Sequence, residues 1–150
     1  MSALDLIYKD RMTFGLELPL DRDWSEDGQL CARAEGRPFG VPDISKPAER
    51  VELAERLGFD AAWLRDVPVH DPHFGDAGQV FDPFPYLGFL AGRTQRMALG
   101  TAGIVLPLRD PILLSKMTAS LHHLSGGRFI LGIASGDRPV EYPLMDLEYE

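Results

Sequence analysis

The strongest constraint is an order. Four short apolar runs alternate with three helical patterns that carry their own start and stop signals. The runs are "TFGLELPL" from Thr13, "AAWLRDV" from Ala61, "MALGTAGIVLP" from Met97 and "RFILGIASG" from Arg128. Each is rich in apolar residues instead of strictly alternating, the pattern of strands buried on both faces. The segments between them are too long for hairpins and long enough for crossovers, so the sheet is predicted to be parallel and the fold α/β. An eight-stranded (β/α)8 barrel of the TIM type takes ~250 residues. The 150 residues here, read as one domain over 1–150, supply the first four β/α units of such a barrel, a half-barrel. A small doubly wound sheet has the same order of elements and is the competing architecture.

The helical patterns fix the spacing. "SKPAERVELAERLG" offers Ser45 as an N-cap, a stripe of Val51, Ala54 and Leu57, and Gly58 as a stop. "DPFPYLGFLAGRTQ" and "DPILLSKMTASLHHLSGG" both open with Asp then Pro, an N-cap followed by a first-turn residue. Leu114, Met117, Leu121 and Leu124 form the expected buried stripe of the last helix, and Gly126 and Gly127 follow it. His122 and His123, in its last turn, suit the negative end of the helix dipole. Residues 21–44 and 67–81 read as long loops. The second follows the carboxyl end of a strand, where parallel sheets build their sites.

Candidate chemistry clusters at those strand ends. Gly100 and Gly103 interrupt the third run, which fits either a close backbone approach to a flat ligand or a crowded interior where only small residues have room. Ala134, Ser135 and Gly136 end the fourth run; their backbone N–H groups and the Ser135 hydroxyl suit a phosphate or a polar ring edge, and a plain structural turn accounts for them equally. Asp66, after the second run, is placed either to orient a ring N–H and move a proton or to cap the next turn. His70 and His73 form a His-x-x-His pair with no third ligand, so no metal is assigned.

Other classes lose ground on composition. The formal net charge of −8, without a basic stripe, argues against nucleic acid and anionic membrane surfaces as partners. A single cysteine, Cys31, suits a reducing cytoplasm, where the chain is expected. Neither G-x-S-x-G nor a Cys-His or paired-carboxylate arrangement is present. A cofactor that performs the chemistry while the protein positions it fits this inventory.

Three stretches carry a resemblance. "GFDAAWLRDVPV", "FDPFPYLGFLAGRTQRMALGTAGIVLPLRDP" and "LSGGRFILGIASGDRPVEYP" resemble the luciferase-like monooxygenase family, in this order, from about Thr13 to Pro143. The resemblance implies a (β/α)8 barrel that uses reduced FMN as co-substrate, or in some branches the deazaflavin F420, at the carboxyl ends of the strands. It implies oxygenation of a small organic substrate, with hydride transfer as the F420 alternative and a non-catalytic flavin-binding or assembly subunit as another. A flavin reductase is an implied partner. It also implies a non-prolyl cis bond between Ala102 and Gly103 against the flavin ring, with Ala134, Ser135 and Gly136 facing the same ring.

Two departures qualify it. Bacterial luciferase has a catalytic histidine after the second strand, where this chain has Asp66, Val67 and Pro68, and an arginine where Ser135 stands. Light emission and long aldehydes are therefore not implied. The family barrel is also about twice this length, in line with ~250 residues or more for a closed barrel. A half-barrel has open apolar edges, so a homodimer or higher oligomer is expected.

Overall fold

The computed structural model describes residues 3–19, 26–37, 47–69, 71, 73 and 81–149. Within these, a short helix α1 (Ala3–Ile7) precedes strand β1 (Gly15–Leu18), and helices α2 (Glu26–Ala34) and α3 (Pro47–Arg56) lead to β2 (Ala61–Leu64). Helix α4 (Pro83–Ala91) then leads to β3 (Ala98–Thr101) and β4 (Ile104–Val105). Helix α5 (Pro111–Leu124) leads to β5 (Phe129–Ile130) and β6 (Ile133–Ala134), and 3-10 turns cover Leu106–Leu108 and Pro143–Met145.

The main sheet is parallel and runs in the order β1-β2-β3-β5. Gly15 lies opposite Ala61, Ala61 opposite Ala98, and Gly100 opposite Ile130. Chain order and spatial order coincide, with no reversal. All three crossover helices pack on one face: Val51 and Ala54 of α3, Leu87 and Leu90 of α4, and Leu114 and Leu121 of α5 share one core with Leu18, Leu64, Leu99 and Phe129. A doubly wound sheet reverses its strand order and covers both faces. The observed sheet does neither, and is the first part of a β/α barrel.

The opposite face is the barrel interior, and it is only partly filled. There the Trp63 indole lies across Gly15 and Gly100, where an added Cβ would sit 2.7 and 2.3 Å from the ring system. Gly100 therefore answers to crowding in the interior and not to a ligand. On the same face Arg65 pairs with Glu17 at 2.5 Å, and both have further interactions. The expectation that all four strands are buried on both faces fails here: β1 is largely exposed except for Leu18, and β6 is exposed throughout.

The expected third and fourth strands are each broken in two. Beyond Thr101 and Ile130 the chain leaves the main sheet, and β4 pairs with β6 in a separate parallel ladder. Helix starts agree with the sequence: Asp82 accepts the Phe84 N–H, and Asp110 accepts those of Ile112 and Leu113. Gly58, Gly126 and Gly127 all have positive φ, as helix stops favour.

Other expectations are corrected. Residues 21–44 are not all loop, since α2 occupies Glu26–Ala34 with Glu26 and Asp27 in its first turn, favourable to its dipole. None of its residues is buried, so no apolar stripe announced it. Leu57 and Leu124, placed in buried stripes by periodicity, are 70% and 73% exposed: Leu57 lies just past the end of α3, and Leu124 is the last residue of α5. Ser45, His70 and most of residues 67–81 lie outside the described residues.

Candidate active site

The carboxyl ends of the strands are tied together by bonds that reach across the sequence. Thr101 Oγ1 donates to Gly132 O at 2.8 Å and accepts the Gly132 N–H at 2.9 Å. Ile104 N–H donates to the same Gly132 carbonyl at 2.8 Å, and Ala102 N–H to Leu64 O at 2.6 Å. These contacts require glycine. A Cβ on Gly132 would lie 2.0 Å from Thr101 O, and one on Gly103 2.9 Å from the Ile133 carbonyl carbon. Both glycines thus serve the approach of one backbone to another. The bond between Ala102 and Gly103 is a non-prolyl cis peptide, at the position implied by the resemblance.

This ladder presents a shelf to solvent. Ala102, Ile133, Ala134 and Ser135 are exposed, and Gly103 and Gly136 are half-buried beside them. The shelf is shored up from beneath: the Tyr142 hydroxyl donates to Ser135 O. Gly136 adopts φ +90°, and a Cβ there would meet Val105 and the Tyr142 hydroxyl within 2.8 Å. Of the five backbone-site candidates, Ala102 and Gly103 lie just before β4, Ala134 in the ladder, and Ser135 and Gly136 just past β6. Apart from the exposed Ile133, the side chains of the shelf are small.

Asp66 stands apart from the shelf, under the neighbouring loops. Its side chain is 1% exposed. The carboxylate accepts the Val105 N–H at 3.1 Å and Arg109 Nε at 3.2 Å, and a further bond from Arg109 Nη2 reaches its other oxygen. Arg109 Nη1 continues to Asp82 Oδ2 at 3.0 Å, the same Asp82 that caps α4. One guanidinium thereby joins the exits of β2 and β4 to the start of α4. Burial works against the charge on Arg109, but the paired carboxylates of Asp66 and Asp82 outweigh it and raise its pKa. A cavity of about 270 Å3 opens beside this cluster, between Val67, Phe81, Leu108 and Met145.

The sequence reading did not single out Arg109. Its signal is weak: an arginine just before an Asp-Pro helix start, whose partners lie 43 and 27 residues away. His73 was named only as half of a pair, and its backbone N–H donates to Asp71 Oδ1 at 2.9 Å.

A larger hollow of about 810 Å3 lies at the other end of the strands, among Lys9, Arg11, Glu55, Asp60 and Arg128. Its charged groups are committed to the fold. Arg11 and Lys9 both bond Asp60, as does the Phe14 N–H; Glu55 accepts the N–H groups of Gln95, Arg96 and Met97. Arg128 donates to the carbonyls of Ala91, Thr94, Met97 and Ser125. In barrels this end serves stability and the carboxyl end serves chemistry, so size does not make this hollow the site.

The family model for luciferase-like monooxygenases matches residues 12–150. The chain belongs to the luciferase-like monooxygenase family. Among similar members, a 4-hydroxyprotoasukamycin monooxygenase of Streptomyces nodosus subsp. asukaensis is 29% identical over 114 residues, 74% of this chain and 29% of its own length. An alkanal monooxygenase beta chain of Photorhabdus luminescens is 31% identical over 103 residues, 69% of this chain and 30% of its own length. The chain thus spans about a third of these luciferase-like relatives.

Solved structures of the same fold agree. The oxygenating constituent of 3,6-diketocamphane monooxygenase from Pseudomonas putida, in complex with FMN, superimposes with TM-score 0.66 at 19% identity, covering 91% of this chain and 33% of that one. The coenzyme F420-dependent tetrahydromethanopterin reductase of Methanopyrus kandleri does so with TM-score 0.60 at 25% identity, covering 93% and 31%. The luciferase-like fold is therefore common to an FMN-bound oxygenase and an F420 enzyme. No described helix is long and apolar enough to cross a membrane.

Proposed function

We propose that this chain forms the flavin-facing part of a flavin-dependent monooxygenase that uses reduced FMN as co-substrate and acts on a small organic molecule. The observation that carries the reading is the shelf of Ala102, Gly103, Ala134 and Ser135, exposed apart from the half-buried Gly103, which borders the β4–β6 ladder at the carboxyl end of a parallel sheet, where Thr101 is tied to Gly132. Bound reduced FMN would supply the electrons that activate dioxygen for transfer to the substrate. The protein's share is placement. Ala102 and Gly103 offer a flat backbone surface, Ser135 Oγ a polar contact for a ring edge, and Gly136 room for the turn that follows.

Asp66 contributes through position in this proposal. Its oxygens already receive Arg109 and the Val105 N–H, so it fixes β4, and with it the shelf, against the exit of β2. The chain on its own is also proposed to self-associate, since β1 and β5 each pair on one side only among the described residues.

The shared fold of the F420 reductase supports a second reading, hydride transfer with F420 and no oxygen. Oxygen uptake separates the two. With supplied reduced FMN and a panel of small ketones and arenes, the first reading expects protein-dependent oxygenated product. Reduction of F420 by an alcohol, with no product from FMN and oxygen, would replace it with the second. Neither activity, with flavin still bound, would assign the chain to flavin holding alone.

A further inference from the structure

The interior face of the sheet carries an ion pair at the level where the shelf begins, and none of the roles above uses it. Side chains alternate between the two faces of a strand. Trp63 lies across Gly100 on the interior side, so Arg65 and Ala102, each two residues further on, share that face. The ladder holds to this point: Ala98 N–H donates to Asp60 O at 2.9 Å and Ala102 N–H to Leu64 O at 2.6 Å. Leu64 stands opposite Thr101, which makes Arg65 the neighbour of Ala102 across strands about 4.8 Å apart. Arg65 thus borders the shelf on the β2 side, while Ser135 borders it on the β6 side.

A charge is out of the ordinary there, since barrel interiors are filled mainly by branched apolar side chains. Arg65 Nε meets Glu17 Oε1 at 2.5 Å, the two side chains are 26% and 44% exposed, and both residues have further interactions. The guanidinium is therefore held in place without being sealed from solvent. Two other described arginines stand at this end of the sheet. Arg109 is bound to Asp66 and Asp82, and Arg138, after β6, is 5% exposed.

What a cation in this place can do follows from the co-substrate proposed above, on which this inference rests. The oxidised flavin ring is neutral. Two electrons and one proton leave the reduced ring with one negative charge, spread over N1 and the C2 oxygen of its pyrimidine edge. A positive charge beside that edge stabilises the reduced ring more than the oxidised one. The phosphate of FMN is the same in both forms, so phosphate contacts do not discriminate between them. The chain's net charge of −8 works against an anionic ring, and a local cation offsets it.

We propose that Arg65 is a cofactor-contacting residue whose guanidinium, oriented by Glu17, meets the pyrimidine edge of a ring lying on Ala102 and makes the site prefer reduced over oxidised FMN. Glu17 acts through Arg65 and is a positioning residue. It also tempers the field of the guanidinium, so the two side chains have opposite effects on the ring. For a flavin that arrives reduced, the preference favours binding before oxygen reacts and release once the ring is oxidised.

The test compares the parent chain with Arg65→Met, Arg65→Lys and Glu17→Gln. Affinity for oxidised FMN is read by fluorescence quenching, and the midpoint potential of bound FMN by anaerobic reduction with dithionite against a reference dye. Arg65→Met is expected to lose at least tenfold of the preference for reduced FMN, a fall of about 30 mV for a two-electron couple. Arg65→Lys is expected to keep most of that preference, and Glu17→Gln to raise the potential. Less than a twofold change in Arg65→Met would overturn the assignment. So would a shift of the same sign in Arg65→Met and Glu17→Gln, because a pair that only ties β1 to β2 is broken alike from either side. Should Arg65→Met fail to fold, Glu17→Gln decides alone: a raised potential supports the assignment, and an unchanged or lowered one overturns it. A parent chain that binds no FMN would discard the flavin reading and this assignment with it, whereas FMN bound with the same preference in every variant would discard the assignment only.

Discussion

Arg109 shows how much of the site rests on single side chains. Replacing it with Met would leave Asp66 buried with, among the described residues, the Val105 N–H alone as hydrogen-bond partner, and an uncompensated buried charge typically costs about 3 kcal/mol or more. Urea denaturation of Arg109→Met should show a loss of that size, and a change under ~0.5 kcal/mol would mean the Asp66 carboxylate finds other partners. Asp60, at the opposite end, makes a pH-dependent contribution. Burial disfavours its charge, but Arg11, Lys9 and the Phe14 N–H prevail and lower its pKa to about 2. A lowered value means stability that is present above the ordinary carboxyl range and lost as pH falls toward 2. Asp60→Asn should therefore flatten the acid limb of a stability-versus-pH curve, measured by thermal unfolding between pH 2 and 5. Gly100 gives an optical test. Gly100→Ala would drive a methyl into the Trp63 ring, so in a Trp24→Phe background the Trp63 emission should shift and stability should fall by about 1–3 kcal/mol.

At the scale of elements, what the sequence reveals depends on how far apart the interacting residues lie. Helix starts at Asp82 and Asp110 and stops at Gly58 and Gly126 are local, since capping residue and capped groups lie within a few positions. Asp110→Ala should accordingly cost only about 1 kcal/mol in urea unfolding. Strand interruption was legible as a pattern of glycines but not in its cause: Gly103 and Gly132 are small because of Ile133 and Thr101, about 30 residues away in sequence. The two arginines that organise the ends of the sheet, Arg109 and Arg128, were not singled out, because their partners lie far away in sequence. Arg128 closes the C-terminal turn of α4 by donating to Ala91 O and Thr94 O across more than 30 residues, and only the folded chain shows it. Helix α2 was missed for another reason. A helix without a buried face has no periodic stripe to read.

At the scale of the molecule, strand order and the single helix-covered face distinguish a barrel segment from a doubly wound sheet, which element counting alone left open. The uncovered face carries Trp63, Arg65 and Glu17, and the edges at β1 and β5 are open among the described residues. Light scattering of the purified chain at micromolar concentration is expected to give at least a dimer, and a stable monomer would remove the proposed self-association. The central claim concerns the shelf, and a fluorescence titration with oxidised FMN tests it most directly, comparing the parent chain with Ala134→Glu. Ala134 is exposed, so the substitution spares the core while placing a charge and bulk on the surface the ring would cover. The account predicts saturable quenching in the parent chain and at least tenfold weaker binding in Ala134→Glu, equivalent to about 1.4 kcal/mol. Equal affinity in both chains, or no saturable quenching in either, would contradict it.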